Sequence, residues 1–163
     1  MTTTPATRQP LLDRLDQFPP ARFVAVLYLL RWCALVPIMI AQTFLGGQST
    51  MRFNGDPLLL LVGFLFIAPV LETLVECALP WFILSRFTNP MPARPWLFIT
   101  ISAIIMALLH PELAAVIPAL VTGAFLAYCY AHFAPRAFSR ALLWTWLFHA
   151  SINLVGWLLL FVF

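Results

Sequence analysis

The chain contains no lysine, and charge of either sign is scarce. Asp, Glu, Lys and Arg together make up 9% of its 163 residues, against roughly 25% in an ordinary soluble domain. That deficit excludes a water-soluble globule. Cysteine is limited to 3 residues (Cys33, Cys77, Cys129) inside apolar stretches, without the spacing of a metal site or a disulfide framework; buried thiols acting as small hydrophobes are expected. Nine arginines against six acids give +3 and no basic stripe, so no nucleic-acid partner is expected despite a pI near 9.1. What fills the chain is apolar: 63% hydrophobic, 15% aromatic, mean hydropathy +0.95. Disorder is excluded as well, and the composition points to an all-α, polytopic membrane bundle with the lipid bilayer as its solvent.

A membrane-crossing helix needs about 20 mostly apolar residues. Five stretches approach this: 23–45, 57–84, 96–110, 113–131 and 141–163. The third is short, and His110-Pro111-Glu112 leaves so brief a link to the fourth that the two should form a tight hairpin. Residues 1–22 read as a polar cytoplasmic tail and 23–163 as one integral-membrane domain. Asp13 and Asp16 beside Arg8 and Arg14, with Pro10, Pro19 and Pro20, do not resemble a cleaved signal. A short amphipathic turn over 11–18 is expected to lie on the membrane surface. Arg8, Arg14, Arg22, Arg86, Arg94, Arg136 and Arg140 fall on one side of the expected topology, Arg52 alone on the other, and Arg31 inside the first span. The arginine bias places the N-terminus in the cytoplasm and the C-terminus outside, and the small five-span form suits a prokaryotic inner membrane. Trp96, Trp144 and Trp146 fit an aromatic belt or a helix core equally.

Ionisable groups at mid-membrane cost on the order of 2.5–3.5 kcal/mol on insertion scales, and they usually face a protein interior or a wet cavity. The second span carries Glu72 and Glu76, the third ends in His110, and the fifth carries His149 and Asn153. At about 1.5 Å per residue, Glu72 lies roughly 21 Å from Arg86, His110 roughly 24 Å from Arg94, and Asn153 roughly 20 Å from Arg140. His149 is a turn shallower. The layers overlap. Spacing of i, i+4 puts Glu72 with Glu76, and His149 with Asn153, on shared helix faces. Pro69 and Pro111 each free backbone groups that lipid cannot satisfy, which points to a cavity beside the acids. Glu76 is expected either to partner an Arg or His or to act in the site, His132 to be interfacial, and Glu112 to be a carboxylate near the outer face.

This pattern resembles the CAAX prenyl protease and bacteriocin-processing (abortive-infection-type) family of glutamic intramembrane proteases, whose signature is Glu-Glu-x-x-x-Arg, Phe-x-x-x-His and His-x-x-x-Asn/Asp on separate helices. Here the three read Glu72-Thr73-Leu74-Val75-Glu76-Cys77, Met106-Ala107-Leu108-Leu109-His110 and His149-Ala150-Ser151-Ile152-Asn153. The segment Gly123-Ala124-Phe125-Leu126-Ala127-Tyr128 resembles the family's glycine-containing helix. Thr73 stands for the family's second glutamate, Cys77 for its arginine and Met106 for its phenylalanine. The resemblance implies an intramembrane endopeptidase acting on a membrane-embedded or membrane-anchored peptide or protein. Glu72 activates water with help from His110, and His149 and Asn153 stabilise the oxyanion. No cofactor is expected. Glu72, His110 and His149 could supply a His₂Glu zinc set, but no His-Glu-x-x-His helix is present, and Asn153 suits a hydrogen-bonding role. An inactive relative serving as an immunity or interaction protein is the alternative. A proton-coupled transporter is the remoter one, because no inverted repeat is visible.

Overall fold

A computed structural model describes residues 15, 17–44, 56–87, 95–110 and 112–161, with backbone only at 113 and 160. All regular structure among them is helical. Helix α1 covers Pro20–Phe44 and starts on a proline, whose missing N–H would be unpaired there anyway. Helix α2 runs over Pro57–Phe87. Its start is written in the sequence: Asp56 accepts the Leu58 N–H at 2.8 Å, and Pro57 takes the first turn. Helix α3 (Pro95–Leu109) ends where the chain approaches Pro111, a residue type that disfavours helical geometry just before it. Helices α4 (Leu113–Phe133) and α5 (Phe138–Phe161) are joined by one turn.

α1, α2, α4 and α5 are each long and apolar enough to cross a membrane, while α3 has 15 residues, about 22 Å of rise. The expected five-helix bundle with a short third member is therefore observed. α3 lies along α4, and Gly123 is the reason the two backbones can approach. A Cβ at that position would stand 2.6 Å from Met106 Cβ and 3.0 Å from Ala103 Cα. α1 and α5 pack on other sides of α4, and α2 runs antiparallel to α5.

Aromatic side chains seal one end of the bundle. Phe23 stacks on His132 at 3.9 Å, Trp81 meets Phe98 at 5.1 Å, and Phe133 stacks on Trp144 at 6.0 Å. Arg22, Arg86, Arg136 and Arg140 belong to the same end, and Arg136 donates to the His132 ring at 2.7 Å. Trp144 thus suits the belt reading, but Trp146 does not. Its half-buried indole is turned onto α2, donating to the Leu65 carbonyl at 3.1 Å. Cys77 and Cys129 are buried as expected, whereas Cys33 is exposed on the outward face of α1; an apolar span has two faces, and its composition does not say which one a thiol takes. Arg8, Arg14, Arg52, Arg94, Pro111 and most of the turn over 11–18 lie outside the described residues.

Candidate active site

The site begins with a defect in α2. Pro69 has no N–H, so two carbonyls lose the donor that helical geometry would bring: Leu65 at α spacing and Phe64 at π spacing. The helix runs in π geometry over Gly63–Ile67, returns to α over Ala68–Glu72, and opens again over Thr73–Ala78. Side chains of α5 take up both carbonyls. Trp146 Nε1 donates to Leu65 O at 3.1 Å, and Asn153 Nδ2 donates to Phe64 O at 3.0 Å. Farther along, Trp157 Nε1 donates to Pro57 O at 3.2 Å. The irregular backbone anticipated from Pro69 is thus satisfied by protein, and the same bonds register α5 against α2.

That registration brings His149 Nε2 to 3.1 Å from Glu72 Oε2. The histidine side chain is 2% exposed and the carboxylate 25%. Glu72 therefore keeps an open side. Both face a cavity of about 230 Å³ that is also bordered by His110, Asn153, Arg31 and Thr122. The four residues expected from depth alone share one chamber. His110 Nδ1 donates to the Met106 carbonyl at 2.9 Å. A carbonyl can only accept, so a neutral His110 keeps its lone pair on Nε2. Met106 is the residue that Gly123 lets α4 approach. At rest, His149 is engaged with Glu72, and Asn153 has one amide hydrogen on Phe64.

Glu76 behaves otherwise. It is fully buried, it does not border the chamber, and neither carboxylate oxygen has a hydrogen-bond partner among the described residues. The expected partnership with Arg or His is not formed among the described residues. Glu72 borders the chamber and Glu76 does not, and the backbone between them is π-helical instead of α-helical. His132 and Glu112 also lie away from the chamber.

Arg31 is the residue that sequence reasoning passed over. It is 6% exposed, comes from α1, and donates from Nε to Thr122 Oγ1 at 3.2 Å. Its signal was available: an arginine in mid-span is the same kind of intrusion as Glu72.

Two larger apolar-walled cavities adjoin the chamber. One of about 530 Å³ lies against α2 and shares Phe64, Ala68 and Glu72 with it. The other, of about 490 Å³, shares Arg31 and Asn153. Among the described residues, no three His, Cys, Asp or Glu side chains gather closely enough to hold a metal ion.

Such an arrangement can activate a water: an acid with one oxygen held by imidazole, a second imidazole carrying a free lone pair, an amide and a guanidinium around one cavity. The family model described as type II CAAX prenyl endopeptidase, Rce1-like, matches residues 54–155. That is well over half of the chain, and it contains Glu72, His110, His149 and Asn153 but not Arg31. No curated protein and no solved structure matches significantly. A bundle of apolar helices and this match lead to one conclusion: the chain is a multi-pass membrane protein belonging to the Rce1-like type II CAAX prenyl endopeptidase family of proteases.

Proposed function

We propose that this protein is a glutamate-dependent intramembrane endopeptidase that cleaves a membrane-anchored peptide or protein near its C-terminal end. The observation that carries the reading is the 3.1 Å pair of Glu72 and His149 within a chamber that His110 and Asn153 complete. His149 holds Glu72 Oε2, leaving Oε1 to take a proton from water. His110 accepts the water's other hydrogen at Nε2. The water oxygen bonds to the scissile carbonyl carbon, and the π pair moves onto the carbonyl oxygen. Collapse of that intermediate breaks the C–N bond, and the proton held by Glu72 passes to the departing amine. Acid–base help of this kind is worth roughly 10²–10⁴ in rate. With His149 committed to Glu72, the second amide hydrogen of Asn153 is the donor left for the developing oxyanion, worth about 10²–10³.

The apolar-walled cavities beside the chamber favour a substrate that arrives through lipid. The arginine-rich end favours a cytoplasmic N-terminus in a cell membrane, with residues 23–163 forming one membrane domain behind a tail of residues 1–22. The test is a comparison of membrane-anchored C-terminal tails by mass spectrometry, in cells carrying wild-type protein or Glu72→Gln. Shortened tails present only with the wild type are expected. Identical tails in both would sink the reading.

A further inference from the structure

An arginine inside a membrane bundle needs a reason, because its desolvation is expensive and a single neutral partner does not offset it. Arg31 has one such partner, Thr122 Oγ1, on its Nε. Its guanidinium carbon lies 4.7 Å from the centroid of the Trp32 ring, and it forms no ion pair with a carboxylate among the described residues. Nη1 is buried and meets no acceptor among those residues. The bond to Thr122 links α1 to α4, and it uses Nε alone. Arg31 borders both the chamber and the 490 Å³ cavity, and Nη2 is not among its buried, unpartnered nitrogens. Of the chamber's other N–H donors, His149 is engaged on Glu72, His110 on Met106, and Asn153 keeps one of its two amide hydrogens free of Phe64.

We propose that Arg31 is a further catalytic residue of this site, donating from its guanidinium to the oxyanion that forms when water adds to the scissile carbonyl. This rests on the peptidase reading of the chamber. Negative charge appears on the carbonyl oxygen only as the water–carbon bond forms, and it returns to the carbonyl as the C–N bond breaks. Arg31 stays protonated throughout and changes no bond of its own. A charged, planar donor already in place costs no reorganisation at the moment of reaction. Among the described residues Arg31 is the one arginine that borders the chamber, while position 77, where the family pattern has arginine, holds buried Cys77.

The test uses the full chain in detergent with two probes: a prenylated C-terminal peptide, and the same peptide with a tetrahedral phosphonate replacing the scissile amide. Wild type is expected to bind the phosphonate about 100-fold more tightly than the amide. Arg31→Gln should lose at least about tenfold of that preference while the amide Kd stays within about twofold, and kcat should fall with KM unchanged. Should Arg31→Gln fail to assemble, Arg31→Lys is expected to lose at least about threefold of the preference, because an ammonium cannot hold Thr122 and reach the oxyanion together. No preference in wild type, full preference in the variants, or equal loss of both probes overturns the inference. Glu72→Gln, measured alongside, separates the two claims. Undiminished turnover in that variant overturns the peptidase reading itself, whereas the Arg31 outcomes bear on Arg31 alone.

Discussion

Glu72 and Glu76 sit four residues apart on one helix and have met opposite fates. Glu72 has an imidazole at 3.1 Å, a cavity in front of it and a quarter of its side chain accessible. Glu76 is wholly buried, and no described group hydrogen-bonds either oxygen. The difference comes from the backbone between them. The π turn over Thr73–Ala78 changes the angular phase of α2, so one acid meets α5 and the chamber while the other meets the tightly packed part of the bundle. Burial alone therefore does not make an acid catalytic. It needs space for water and a neighbour that fixes its orientation.

The sharpest way to break this comparison is to neutralise each acid in turn and follow hydrolysis of a prenylated C-terminal peptide. Glu72→Gln should lower kcat by at least about 10³-fold, with membrane insertion and amount unchanged, and His110→Ala should approach it. Asn153→Ala should cost about 10²-fold in kcat and also lower the Tm in detergent, because Phe64 O loses its donor. Smaller still is Gly123→Ala. The new methyl group would stand 2.6 Å from Met106 Cβ, and overpacking of this kind costs about 1–3 kcal/mol. Activity should fall only as far as His110 is displaced through Met106. Least of all, Glu76→Gln should leave kcat within about twofold, with the Tm unchanged or raised, since removing an unpaired buried acid relieves a desolvation cost. A loss at Glu76 comparable to that at Glu72 would erase the distinction drawn between them.

Much of this was legible before any coordinates. Apolar length located five helices to within a few residues, because a bilayer demands length and tolerates little else. Depth from the arginines placed Glu72, His110, His149 and Asn153 in one layer, and they do border one chamber. What depth cannot supply is angle. Spacing of i, i+4 does not say which of two neighbouring acids meets the cavity, and nothing in hydropathy announces the π turn between Glu72 and Glu76. Partner choice was hidden for the same reason. Trp146 suited an interface or a core on composition, and only the carbonyl at Leu65 decides between them. Arg31 was visible as an intrusion, but its destination depends on how α1 packs against α4 and Thr122.

Pro69 invites the opposite of its obvious reading. A helix with a missing donor looks like a candidate for repair, and Pro69→Ala would return an amide to the Leu65 and Phe64 carbonyls. Those are the acceptors that hold the indole of Trp146 and the amide of Asn153. A mended strand of backbone would then compete with its neighbour for the same atoms, and the imidazole carried on that neighbour would lose its bearing on the acid. Straightening the scaffold here detunes the instrument.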